Sequence, residues 1–225
     1  MKKILLMTAL VFLAGIPAHA DSVTILGGFV TPSGDSDIYN QNEVETDFEV
    51  DDLNDFSATF RYDHFIGNLA SIGVSATFYE SDTLVTDQEL EFLNGKPIHR
   101  DISLQIVPLE FNLHFLPAGR DASFIPYFGG GIGFYFWEYQ ENGDFVIDRN
   151  SDPSVITGLA FSDGTDPGWH IEGGFQIPFS RSATFTAEAK YWSAEGDLDE
   201  QGFDPAFEPI DLSATTISAG VSIWF

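Results

Sequence analysis

Ala214-Thr-Thr-Ile-Ser-Ala-Gly-Val-Ser-Ile-Trp-Phe225 decides the fold. Thr215, Ile217, Ala219, Val221, Ile223 and Phe225 share one parity; Thr216, Ser218, Gly220, Ser222 and Trp224 share the other. A period of two belongs to a strand. Working back along the chain, Phe185, Ala187, Ala189 and Tyr191 alternate with Thr184, Thr186, Glu188, Lys190 and Trp192. Trp169, Ile171, Phe175 and Ile177 alternate with His170, Glu172, Gly174 and Gln176, and Phe56, Ala58, Phe60 and Tyr62 stand opposite Arg61 and Asp63. Apolar outside and polar inside inverts a water-soluble barrel and matches one that spans a membrane.

The same reading gives eight segments: Val23–Thr31, Asp55–Phe65, Ala70–Glu80, Asp101–Phe115, Ser123–Glu138, Gly168–Phe179, Ser182–Ala194 and Leu212–Phe225. Each reaches the about 9–11 residues of a tilted membrane strand. Connections alternate in length, with long ones at 32–54, 81–100, 139–167 and 195–211 and short ones between. In an antiparallel meander this puts every long loop at one rim, as in outer-membrane barrels. The expected fold is all-β, an eight-stranded antiparallel up-and-down transmembrane β-barrel, its narrow interior filled by side chains. Strand four breaks phase: Ile102, Leu104 and Ile106 have one parity and Leu109, Phe111, Leu113 and Phe115 the other, so a bulge is expected at Pro108.

At the other end, Lys2 and Lys3, the apolar run Ile4 to Ile16 and Ala18-His19-Ala20 read as a secretory leader over residues 1–20, cleaved after Ala20. One domain, 21–225, follows. With Lys2 and Lys3 removed it holds 35 acidic and 7 basic residues, a formal charge of −28. Nucleic acid is therefore not an expected partner, because its binding depends on cations neutralising phosphates. Cysteine is absent, so neither disulfides nor thiol chemistry enter.

Parity sends Arg61, Asp63, Glu110, His114, His170, Glu172, Glu188 and Lys190 inward together. Charges in so confined a space must pair or be hydrated by trapped water. An internal ion-pair network is the plain reading, and a gate or polar relay for a small solute is its functional rival. No serine stands two residues from a histidine on one strand face, so a nucleophilic dyad would have to assemble across strands; no catalytic residue and no enzymatic activity are expected. Gly129-Gly130-Gly131-Ile132-Gly133 lacks the Lys-Ser/Thr ending of a phosphate loop and reads as a strand making room for neighbouring rings. The loop 32–54 holds eight carboxylates without a base, and 195–211 holds seven. In the latter, Asp197, Asp199, Gln201 and Glu208 fall at positions 1, 3, 5 and 12 of a calcium-loop template, with Pro205 at position 9 and strands where that template has helices. No resident cofactor is expected, calcium being the one candidate. The rival to a specific site is an acidic surface bridged by divalent cations to lipopolysaccharide.

Several stretches resemble the OmpW/OmpA-like outer membrane protein beta-barrel domain family: Pro126-Tyr-Phe-Gly-Gly-Gly-Ile-Gly-Phe134, Gly168-Trp-His-Ile-Glu-Gly-Gly-Phe175, Ala187-Glu-Ala-Lys-Tyr191 and Gly220-Val-Ser-Ile-Trp-Phe225. The resemblance implies an eight-stranded barrel in the outer membrane of a Gram-negative bacterium. It also implies that Phe225 acts as a signal to the outer-membrane assembly machinery, with membrane lipids and lipopolysaccharide as the surroundings. Trp224 stands where that family commonly has an inward base. Members similar to OmpW imply passage of small hydrophobic compounds, for which inward Leu26, Val30, Trp192 and Trp224 would serve as lining or as plug. The leading expectation is passive handling of small solutes or envelope integrity. A cell-surface interaction barrel using its acidic loops, and a lipid-modifying enzyme, are the rivals.

Overall fold

The computed structural model describes residues 21–34, 36–92, 94–147, 154–198, 203 and 206–225. The leader, with its cleavage site, lies outside the described residues, as do Asp199 and Gln201 of the calcium template. Eight long strands are present: β1 Asp21–Pro32, β2 Asp55–Ile66, β3 Ala70–Glu91, β4 Pro97–Phe115, β5 Ile125–Ile147, β6 Ser154–Pro178, β7 Ala183–Gly196 and β9 Ala214–Trp224. The two-residue strand β8, Ile210–Asp211, pairs with the end of β7. Every neighbouring pair from β1 to β7 is antiparallel, and β9 closes the ring by pairing with both β7 and β1. The Asp21 and Phe225 backbones bond reciprocally at the seam, at 3.1 and 3.0 Å.

The outward side chains form a band of about five per strand. On β4 they are Phe115, Leu113, Phe111, Leu109 and Val107; on β5, Phe128, Gly130, Ile132, Phe134 and Phe136; on β6, Ile177, Phe175, Gly173, Ile171 and Trp169. Most are exposed although they are large and apolar. At nine residues per strand, the band matches the roughly 25 Å apolar girdle of a membrane barrel. The next outward positions are Glu80 on β3, Gln105 on β4 and Glu138 on β5, with Asp163 opposite Glu138 on β6, beyond Pro167 and Thr165.

At that line the polarity turns over. Below it the barrel interior holds Ser75, Thr77, Glu110 and Asn112. Above it the buried side chains are Tyr79, Val85, Ile102, Leu104, Ile106, Trp137 and Tyr139. The upper parts of β3 to β5 therefore have the apolar-in, polar-out pattern of a sheet in water, whereas upper β6 turns Leu159 and Phe161 outward. Two expectations are corrected by this. No bulge occurs at Pro108: β4 keeps one register against β5 through Pro108↔Tyr135, and against β3 it resumes after the proline with unchanged offset, from Ala76↔Leu109 to Tyr79↔Ile106. Ile102, Leu104 and Ile106 simply face inward above the band. Likewise 81–100 and 139–167 are not loops in the main, because β3 runs to Glu91, β4 starts at Pro97, and β5 and β6 pair up to Ile147↔Ser154.

Strands β3 to β6 are thus 19 to 25 residues long against 11 to 14 for β1, β2, β7 and β9. The excess is a four-stranded flange standing roughly 30 Å beyond the short wall, at ~3.3 Å per residue. Loop 33–54 folds back over the mouth as helix α1, Asp37–Glu45, and a 3-10 turn at Val50–Leu53.

Candidate functional site

The lumen is filled in three layers. At the turn end, Phe65, Leu116, Ile125 and Tyr127 pack with Trp224, and the Arg120 guanidinium lies over the Phe65 and Trp224 rings at 5.2 and 6.0 Å. Trp224 thus forms part of a plug, with a cation supplied from the β4–β5 turn.

The middle layer contains all eight charged residues that parity sends inward, each buried. Arg61 bonds Asp63 at 3.1 Å, pairs closely with Glu188 and lies 3.8 Å from Glu172. His114 has Asp63 Oδ1 at 3.1 Å from Nδ1, with Glu172 against its Nε2. Lys190 Nζ reaches Glu110 Oε2 at 2.7 Å, and His170 Nδ1 lies 3.4 Å from Glu110 Oε1. Hydroxyls complete the shells: Tyr127 donates to Glu188 (2.7 Å), and Tyr135 and Ser75 donate to Glu110 (3.0 Å each). Four carboxylates face two obligate cations, and interlocking hydrogen bonds reduce the cost of burying them.

Glycine makes this crowding possible. A Cβ at Gly131 would stand 1.7 Å from Phe111 O and 2.8 Å from His170 Cε1, and one at Gly129 would stand 2.6 Å from His114 Cδ2. Strand β5 gives up side chains so that the two imidazoles fit, consistent with the strand reading of Gly129–Gly133.

A serine and a histidine meet across strands instead of within one. Ser71 Oγ on β3 lies 3.2 Å from His114 Nδ1 on β4, whose Nε2 meets Glu172 on β6. These are the parts of a nucleophilic triad. Ser71 and His114 are buried at 2% and 3% exposure, however, and Asp63 shares the same ring nitrogen, so the arrangement serves the ion network. Strand register brings the three together in one row, Ser71 opposite His114 and Glu172 beyond Gly129, which no spacing in the sequence announces.

The top layer is an apolar core of Val30, Tyr79, Ile102, Leu104, Ile106, Tyr135, Trp137, Tyr139, Trp192 and Leu212, roofed by Ile38, Tyr39, Phe48 and Leu53 of the first loop. Leu26, Val30 and Trp192 are buried to 1% or less. α1 is latched by polar groups: Asn42 donates to Tyr139 Oη (3.0 Å) and Glu141 (2.9 Å) and accepts from Arg100 (2.7 Å), while Arg100 pairs with Glu141 at 3.2 Å. Tyr39 donates to Asp211 O at 3.2 Å; burial, reinforced by Tyr79 and Asp211, raises its phenol above the usual range and keeps it a donor. Beside the latch is a cavity of about 10 Å³ lined by Glu45, Thr46, Arg100 and Asp144, the size of one water.

Among the described residues, no group of three or more His, Asp or Glu is placed to hold a metal ion. Of the calcium template, Asp197 and Glu208 are described; the Glu208 amide donates to Asp37 at 3.1 Å, tying the last loop to the first.

No protein-family model and no curated relative matches the chain. Solved structures do. Neisserial surface protein A is similar over 91% of this chain and 97% of its own, with TM-score 0.51 and 14% identity. The outer membrane protein OprG from Pseudomonas aeruginosa is similar over 93% and 98%, with TM-score 0.49 and 16% identity. The outer membrane protein AlkL is similar over 94% and 92%, with TM-score 0.44 and 14% identity. At such identities the likeness is one of fold: the eight-stranded antiparallel barrel of the Neisserial surface protein.

Proposed function

We propose that this chain is an integral outer-membrane protein whose barrel is sealed, and whose flange and acidic loops act at the cell surface in interaction or envelope integrity. The observation that carries the reading is the filled lumen: an aromatic plug, an ion network and an apolar core succeed one another beneath the latched α1. A charged cluster in a confined interior binds its own side chains before it can pass a solute. In this reading the leader is removed after Ala20, Phe225 serves assembly, and the outward band meets lipid and lipopolysaccharide. Buried Ser71, His114 and Glu172 take no part in catalysis, and no metal or cofactor is resident.

Planar-bilayer recording with the refolded mature chain tests it. We expect no stepwise conductance, both for the natural chain and for a variant lacking residues 36–52, because the ion network lies below that loop. Steady channel openings by the natural chain would refute a sealed barrel.

Passive handling of small apolar solutes is the second reading, favoured by the apolar inner wall above the network. It requires α1 to lift, so Asn42→Ala should speed uptake of an apolar dye into proteoliposomes. Equal rates with empty liposomes would eliminate it.

A further inference from the structure

The flange has two lateral edges, and they are treated differently. Beyond Ser57↔Tyr79, β3 parts from β2, and the first loop covers the exposed backbone: Thr46 bridges Asp87, the Asp47 amide donates to Thr86 O at 2.9 Å, the Thr86 amide donates to the Asp47 carboxylate, and the Gln88 side chain donates to Thr46 O. On the far side β6 parts from β7 above Gly168↔Ala194. From Ser154 to Phe161 it pairs with β5 residue by residue, up to Ser154↔Ile147, and no described strand pairs with its other side. An unpaired edge offers backbone donors and acceptors to any extended chain, and proteins usually guard it with lysine, proline or a bulge. Ser154-Val-Ile-Thr-Gly-Leu-Ala-Phe161 has no lysine and no proline, and its pairing with β5 has no bulge.

We propose that the Ser154–Phe161 edge is a docking site for an extended, basic segment of another protein, which adds to the flange as a fifth strand. Strand addition draws affinity from main-chain hydrogen bonds and specificity from alternate side chains. The outer face sets those preferences. Leu159 and Phe161 point outward beside the edge, 61% and 38% exposed, and ask for apolar residues at alternate positions of the partner. Across the same face run Glu80, Asp82, Asp101, Glu138 and Asp163, with neither lysine nor arginine at the outward positions of these rows. That field attracts lysine and arginine and opposes a second copy of this chain, itself strongly negative.

The inference rests on the flange standing outside the membrane, as in the sealed-barrel reading, yet it can fail separately. The probe is a fluorescein-labelled ten-residue peptide of alternating threonine and valine with lysine at both ends. It is titrated by anisotropy into the full mature chain refolded in micelles. We expect saturable binding, weakened at least tenfold by N-methylation of alternate amides along the edge that sets the valines beside Leu159 and Phe161. Methylation along the opposite edge should leave it unchanged. The variant Leu159→Lys/Phe161→Lys should lose binding while keeping its strand spectrum, and Thr157→Lys serves if that variant misfolds. Equal binding by both methylated peptides, or undiminished binding by the lysine variants, would overturn the proposal, as would wild-type self-association that the variants abolish. Conductance with intact peptide binding would defeat only the sealed barrel, and a silent barrel without binding only the docking site.

Discussion

Lys190 is buried in the barrel's middle layer, where its single ammonium offsets the Glu110 carboxylate at 2.7 Å. Removing one partner of a buried pair strands the other, at a cost of about 3–5 kcal/mol. Lys190→Met should therefore lower the stability seen in urea unfolding from micelles by that amount, and adding Glu110→Gln should recover part of it. Gly131→Ala tests the steric side: its Cβ meets the Phe111 carbonyl and the His170 ring, so it should cost at least the ~1–3 kcal/mol of overpacking in the same assay. At this scale the sequence was legible in one respect and opaque in another. Inward orientation of all eight charges follows from parity, a local property. Their pairing depends on the stagger between strands, so Ser75, Tyr127 and Tyr135 as partners, and the approach of Ser71 to His114, had no signature in spacing.

In strand β4 the alternation was legible but its surroundings were not. Its apolar residues change parity at Pro108 because the strand passes from one surrounding medium to another, and a proline at the change made a bulge look necessary. Proline here only omits a ladder bond to β3, whose paired residues skip Thr77 and Phe78. Pro108→Val should therefore restore one hydrogen bond and raise urea stability by about 0.5–1.5 kcal/mol; a clear loss would mean that the proline accommodates a distortion after all. The same change of medium hid the upper halves of β3 and β5 and the first residues of β4. Alternation continues there, but with Val85, Ile98 and Tyr139 buried and Asp82, Asp101 and Gln140 outside, so a search for outward apolar residues stopped at Glu80 and Glu138. The first loop was legible as acidic, whereas its folding into α1 depended on the Asn42 latch to Arg100 and Glu141, three residues far apart in the chain.

For the whole molecule, ring closure by β9 on β1 leaves no edge at band height, and every strand there has two neighbours. Such a barrel resists detergent, so the unboiled mature chain should migrate faster on a gel than the boiled one, with a strand-rich circular dichroism spectrum. A single band from a chain that stays soluble without detergent would reverse the assignment of its faces. The line at Glu80, Gln105, Glu138 and Asp163 has one further consequence. Outward positions recur every two residues, or roughly 7 Å of strand, so sinking the barrel by one such step would carry the Glu80 and Glu138 carboxylates towards hydrocarbon. Each would cost at most about 1 kcal/mol so near the interface, whereas raising the barrel would wet Phe78 and Phe136. The barrel should therefore have a preferred depth and partition towards lipid whose hydrocarbon thickness matches its apolar band wherever two thicknesses coexist.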